Sequence, residues 1–175
     1  MQLSKNQRCN VSPEWRRGSS DGGVGIEERD YFISIMEHKE IRHTTAVRVR
    51  YADTDKMGVV YNGNYLTYFE IGRTELLRAI GLPYAEMERS GYLLPLSEAN
   101  VVYKIPAKYD DILDVTATFK MTPGSATITI TYEINRDTDV IAEGYTVHPF
   151  VNAATMRPVR PPKFFLDTVS KAENI

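Results

Sequence analysis

Between about Asn64 and Ile80 the chain carries a helical segment that is apolar almost all the way round. Tyr65, Leu66, Phe69, Leu76, Leu77 and Ile80 make a broad apolar surface, and only Thr67, Glu70, Thr74 and Arg78 form a polar stripe. A helix this apolar must be enclosed by protein on most sides. Asn62-Gly63-Asn64 supplies capping chemistry at its start, and Gly81 followed by Pro83 supplies its stop. Gly72 in its interior carries a propensity cost of about 1 kcal/mol, so a close approach to another backbone is expected there. The rest of the fold has to wrap this helix.

The material available for wrapping reads as β. Upstream, Val47, Val49 and Tyr51 alternate with Arg48 and Arg50, the period of a half-buried strand. Downstream of a short helical piece, Tyr84 to Ser90, the chain from Leu93 to Lys104 reads as one long strand kinked at Pro95. Val115, Ala117 and Phe119 alternate with threonines and Lys120, and Ile128, Ile130, Tyr132 and Ile134 do the same after a Pro123-Gly124-Ser125 turn. Val140 to Asn152 is the last long strand, and Lys163 to Ala172 a C-terminal helix. The order is strand, buried helix, then a four-strand meander. It predicts an α+β fold in which an antiparallel sheet of about five strands curls around a central helix.

The ends bound the domain. Residues 1–40 include a polar, Gly/Ser-rich stretch from Ser12 to Gly23 without periodicity, with Tyr31 to Met36 as a short apolar island. Such a segment buries too little apolar area to offset its ordering entropy, so it is expected to be a disordered extension, with Met36 as an alternative start. The folded domain is expected over residues 41–175. A net charge of −2 gives no overall attraction to nucleic acid. The single Cys9 rules out an intrachain disulfide, and His38, His43 and His148 are not at metal-ligand spacing. No run approaches the roughly 20 apolar residues of a membrane span, and no signal-peptide pattern is present, so a cytoplasmic protein is expected.

The chemistry concentrates between Tyr51 and Tyr65. Asp53-Thr54-Asp55 lies a few residues before the helix start, which presents unpaired N–H groups and partial positive charge. A carbonyl held there would be polarised and its oxyanion stabilised, while a carboxylate opposite attacks it or activates water. Acyl transfer needs both, and both stand within a dozen residues without histidine or metal. By spacing alone the same D-x-D also reads as a turn, or as a Mg²⁺ site lacking a phosphate-gripping loop.

Asp53-Thr54-Asp55-x-x-Gly58-Val59-Val60-Tyr61-x-x-x-Tyr65 resembles the signature of the 4-hydroxybenzoyl-CoA thioesterase family, in the branch of the Tol-Pal-associated acyl-CoA thioesterases. Phe69-Glu70-x-x-Arg73-Thr74-Glu75, Tyr103-x-x-Pro106-Ala107-x-x-Asp110-Asp111 and Arg157-Pro158 extend the likeness over about Thr44 to Phe165. The resemblance implies a hot-dog fold and hydrolysis of an acyl-CoA to free acid and CoA, without a cofactor. It implies Asp55 as nucleophile or general base, the backbone N–H of Tyr61 as the donor to the thioester carbonyl, and Asp53 as a loop-fixing residue. Many members of the branch carry His where this chain has Asn62, which keeps hydrogen bonding but cannot transfer protons near neutral pH. Asn62 is therefore an auxiliary residue. The resemblance also implies a homo-oligomer, dimer or tetramer, with sites where two hot dogs meet.

Glu70 is a candidate second carboxylate, although a buried hydrogen bond to Arg73 or Thr74 is the expected state for it. His148 is expected to be a satisfied sheet histidine. Arg157, Arg160 and Lys163 are candidate contacts for the CoA phosphates, against the reading of a solvated tail. Two other functions compete: a hot-dog hydratase or dehydratase, which needs a partnered histidine, and a non-catalytic module that binds acyl-CoA or acyl carrier protein. Acyl carrier protein also stands as an alternative thioester carrier for an enzyme.

Overall fold

The computed structural model describes residues 40–120 and 125–172. The expected N-terminal extension with its apolar island, and Pro123 and Gly124 of the expected turn, lie outside the described residues. Seven strands are present among those described: β1 (Glu40–Arg48), β2 (Tyr92–Leu93), β3 (Glu98–Tyr103), β4 (Ile112–Lys120), β5 (Thr127–Arg136), β6 (Asp139–Pro149) and β7 (Val151–Asn152). The helices are α1 (Asn64–Ala79), α2 (Tyr84–Arg89) and α3 (Lys163–Lys171). Five strands form one antiparallel sheet in the order β1-β4-β5-β6-β3, and β2 pairs with β7 in a small second sheet.

The central helix lies across one face of that sheet, as its apolar surface requires. Tyr65, Tyr68, Phe69, Gly72, Leu76 and Leu77 are buried. They meet the inward row of alternate strand residues, Val115, Ala117 and Phe119 on β4 and Ile130, Tyr132 and Ile134 on β5, all buried. Gly72 packs closely on the sheet, but against a side chain rather than the backbone the sequence predicts. A Cβ built there would stand 2.8 Å from Cγ1 of Val115, so a larger residue would force the valine to shift. A ring stack between Phe69 and Tyr132, 4.2 Å apart and nearly parallel, continues the contact. Across β6, Gly144 makes room for Phe69, whose ring a Cβ there would meet at 2.8 Å. Beyond the sheet's end, α3 plugs the core with Phe165 and Val169.

Three expectations are corrected. The segment from Leu93 to Lys104 is two strands, because Pro95 has no N–H to donate and residues 94–96 leave the ladder, which resumes where the Ser97 N–H donates to Val147 O. The last strand breaks likewise at Phe150, between β6 and β7. The larger correction is to the meander: β3 does not turn back onto β4 but pairs with β6 at the far edge, while β4 pairs with β1. The connection crosses the end of the sheet instead, pinned by the fully buried Ala107. The Ala107 N–H donates to the Tyr65 hydroxyl at 3.4 Å, and its carbonyl accepts the Val60 N–H at 2.8 Å. The outer sheet face is polar and carries a shallow groove of roughly 330 Å³ lined by Arg42, Thr118, Glu133 and Glu143 among others. It faces away from α1 and holds none of the candidate residues. No helix among the described residues is long and apolar enough to cross a membrane.

Candidate active site

Strand β1 ends at Arg48, and the chain then builds a short knot of loops beneath the start of α1. Val49 exchanges backbone hydrogen bonds with the facing loop, its N–H to Asp111 O at 2.9 Å and its carbonyl from Asp110 N at 3.0 Å. A single 3₁₀ turn, Tyr51–Asp53, follows. Tyr51 was expected to continue the inward alternation of β1. It is instead 80% exposed on this turn, with its ring edge-on to Tyr109 at 5.7 Å.

Asp53 is the buried hub of the knot. One carboxylate oxygen accepts from the Arg50 N–H at 3.0 Å and from the Tyr68 hydroxyl at 3.1 Å, and the other from the Arg50 guanidinium at 2.8 Å. Burial alone would raise its pKa. The Arg50 side chain, the Arg50 N–H and the Tyr68 hydroxyl outweigh that and hold the carboxyl below the usual range. Burial, and after it the charge of Asp53, push the Tyr68 phenol well above its ordinary value. The Asp53 carbonyl grips the other side of the loop, accepting from the Tyr61 N–H at 2.9 Å and from Nδ2 of Asn64 at 2.7 Å. This is the loop-fixing part the resemblance implies for Asp53. Arg50, Tyr68 and Asn64 were not singled out for it by sequence reasoning. The Arg50–Asp53 spacing of three is the one local signal that could have found it.

Asp55 is differently situated. Half-buried, it closes a tight turn in which its Oδ1 accepts the Met57 N–H at 2.7 Å, its carbonyl accepts the Gly58 N–H, and its own N–H donates to Val59 O. Gly58 takes a left-handed φ of 75°, which its lack of Cβ makes inexpensive. The second oxygen, Oδ2, has no partner among the described residues.

The helix start modifies one expectation. The Tyr61 N–H is already bonded to the Asp53 carbonyl, so it is committed to the loop and does not face outward. The next two amides, Asn62 and Gly63, have no hydrogen-bond partner among the described residues. They lie just ahead of the first turn of α1, whose N-cap is Gly63 without a side-chain cap. Asn62 is exposed, and its carbonyl accepts the Tyr103 hydroxyl at 3.1 Å, which ties the helix start to the end of edge strand β3. Asp55, Asn62, and the amides of Asn62 and Gly63 thus belong to one loop-to-helix unit.

The remaining candidates lie elsewhere. Glu70 is exposed on α1 and has no hydrogen-bond partner among the described residues, so the expected buried bond to Arg73 or Thr74 is absent from that set. His148 is a satisfied sheet histidine: buried, with Nδ1 3.1 Å from Leu94 O and Nε2 2.9 Å from the Thr146 hydroxyl. Burial first, and then the nearby Arg73 guanidinium, push its pKa down to about 4. Arg157, Arg160 and Lys163 are exposed at the opposite end of the sheet from Asp55. Their segment is bonded to Phe150 and Asn152, and α3 packs on Phe119 and Phe150. The loops around Asp55 join β4 at its other end, about 26 Å away at the rise of a nine-residue strand. Within one protomer the basic tail and the carboxylate are not brought together. No cluster of residues suited to a metal occurs among those described.

A five-stranded antiparallel sheet packed on one long helix is the architecture of the hot-dog fold. The sequence agrees: residues 49–169 match the family model described as the thioesterase-like superfamily, and the chain belongs to that family. It is similar to YneP of Bacillus subtilis, at 33% identity over 121 residues covering 69% of this chain and 88% of that one. It is similar also to the acyl-CoA thioesterase YbgC of Haemophilus influenzae, at 34% identity covering 67% of this chain and 86% of that one. Among solved structures, the DHNA-CoA thioesterase of Staphylococcus aureus superposes with a TM-score of 0.64 at 34% identity, covering 73% of this chain and 85% of that one.

Proposed function

We propose that this protein hydrolyses an acyl-CoA thioester to the free acid and CoA, with Asp55 as nucleophile or general base. The observation that carries the reading is the division of labour in the Asp53-Thr54-Asp55 loop. Asp53 is buried and fully engaged, whereas Asp55 is oriented by one oxygen and keeps the other free, two residues away. As base, Asp55 takes a proton from water as the oxygen attacks the carbonyl carbon. The C–S bond then breaks and CoA leaves as its thiol once protonated. As nucleophile, the free oxygen forms an acyl anhydride that water opens. In either route negative charge grows on the carbonyl oxygen, and the N–H groups of Asn62 and Gly63 are the donors for it in place of Tyr61. The Asn62 side chain is an auxiliary donor beside them.

The relatives named acyl-CoA thioesterase support the substrate class, and the Tol-Pal-associated branch rests on the motif from Asp53 to Tyr65. A homo-oligomer belongs to the same reading. Strand β3 is an edge with both faces largely exposed, including Val102 and Tyr103, and Tyr103 is bonded to the helix start. A second copy added to that edge would close the site. Sedimentation at micromolar concentration is expected to give at least a dimer, and a monomer would contradict it. The domain is residues 41–175, and a chain begun at Met36 is expected to keep its stability and turnover. Cell fractionation tests the cytoplasmic location. The function itself is tested by thiol release across acyl-CoAs of graded length and acyl carrier protein thioesters. Absence of thiol from all of them overturns it.

A further inference from the structure

The two unbonded amides ahead of α1, those of Asn62 and Gly63, each belong to a peptide plane that is held at its carbonyl end. In a trans peptide the carbonyl and the following N–H point to opposite sides of one rigid plane, so a bond that fixes the oxygen also aims the hydrogen. The plane carrying the Asn62 N–H is fixed from within the loop, where the Tyr61 carbonyl accepts the Asn64 N–H at 2.9 Å. The plane carrying the Gly63 N–H has no such local hold. No backbone N–H among the described residues reaches the Asn62 carbonyl, and its partner is the Tyr103 hydroxyl at 3.1 Å, forty-one positions away. This is also the plane best able to swing, because glycine restrains its own φ less than any other residue.

Tyr103 is a fixed post from which to hold it. Its backbone pairs with Ala142 of β6, the N–H of the next residue, Lys104, donates to Ile141 O, and its ring stands edge-on to the buried Tyr65 at 5.1 Å. Burial does not require the bond. Tyr103 is half exposed and Asn62 exposed, so water can serve the hydroxyl and the carbonyl alike. What the bond sets is the direction of the Gly63 N–H.

We propose that Tyr103 is a positioning residue for hydrolysis, resting on the thioesterase reading: its hydroxyl, by holding the Asn62 carbonyl, aims the Gly63 N–H at the oxygen on which charge develops. A hydrogen bond accepted by a carbonyl also polarises its own amide, which strengthens the Gly63 N–H as a donor. Donors to an oxyanion act by being aimed before the charge appears, so losing the aim of one of two lowers the rate and spares substrate binding.

Tyr103→Phe tests this, since it removes the hydroxyl and keeps the ring beside Tyr65. In thiol release from an acyl-CoA that the parent cleaves, kcat is expected to fall about tenfold with KM unchanged. Tm and sedimentation should match the parent. In amide NMR spectra of the full chain, the Gly63 cross-peak should be displaced more than that of Asn62, a division that a purely structural tie would not produce. An unchanged kcat overturns the proposal. So does a rise in KM at constant kcat, a loss of kcat accompanied by a lower Tm or a smaller oligomer, or equal displacement of the two cross-peaks. If the parent releases no thiol from any acyl-CoA, the thioesterase reading fails. The cross-peaks then judge the hold of Tyr103 on the Gly63 amide alone: displacement centred on Gly63 supports it, and none overturns it.

Discussion

Replacing Asp53 by asparagine keeps the shape of the loop hub and removes its charge. The parent carboxylate accepts from two groups held in the fold, the Arg50 N–H and the Tyr68 hydroxyl, and from the exposed Arg50 guanidinium. An asparagine has one acceptor oxygen. Aimed at the Arg50 N–H and Tyr68, it keeps both bonds but loses the charge assistance of each, about 1 kcal/mol apiece from the gap between charged and neutral hydrogen bonds. Its NH₂ then faces the guanidinium, donor against donor. That group can turn to water, so its loss adds little. The sum is about 2 kcal/mol, or a fall in Tm of roughly 5–10 °C for a domain of this size. Calorimetry near pH 7 measures it. The same reasoning fixes a pH dependence. The folded pKa of Asp53 lies below its ordinary value, so its stabilisation is complete above the carboxylate range and is lost as pH falls through the folded pKa. Parent and variant should therefore converge in acid. Equal Tm values near neutrality would refute the hub, as would a gap that persists once the carboxylate is protonated. Activity should change modestly in both kcat and KM, through loop order.

Asp55→Asn should show the opposite profile. Its Oδ1 can still accept the Met57 N–H, so Tm should hold, while kcat in a thiol-release assay falls on the order of 10²–10⁴. Near-normal turnover in that variant together with a dead Glu70→Gln would move the catalyst to the helix. His148 is held neutral with its pKa lowered to about 4, so the unfolded chain binds the extra proton first as pH drops from about 6.5. Stability should be level above that value and decline between about 6.5 and 4, and His148→Asn should remove its share of the slope in a Tm-against-pH series. Gly72→Ala should lower Tm although alanine is the better helix former by about 1 kcal/mol, because its Cβ would meet Val115 at 2.8 Å. A rise in Tm would show that helix and sheet are looser than described.

Legibility in the sequence followed the range of the interactions. The central helix could be read because its apolar width is local, and Gly72 announced a close packing partner without naming it. Strand periods were likewise local, and the alternation of β4 and β5 matches the buried rows. The strand order was not legible. Pro106-Ala107 is as good a turn signal for a hairpin as for a crossing, and the choice is made by Ala107 docking on Tyr65, forty-two positions away. The alternation of β1 ran one step too far into Tyr51, because the bonds from Val49 to Asp110 and Asp111 end the strand from across the fold. At the candidate site, motif and likeness pointed to the loop and helix start on which the proposed function rests. Which amide is free depends on where the Asp53 carbonyl points, and no spacing encodes that.

The two aspartates of the loop answer to different demands, and this makes the chain's chemistry detachable from its architecture. Asp53, through Arg50, Tyr68 and Asn64, carries the mechanical burden, while Asp55 holds only a small surface turn. On the proposed assignment, a single change at Asp55 would leave the loop hub and the helix amides in place and turn a hydrolase into a carrier that sequesters its thioester. Descendants of such a fold can therefore cross from cleavage to retention in one step and return by one reversion, without passing through an unfolded intermediate.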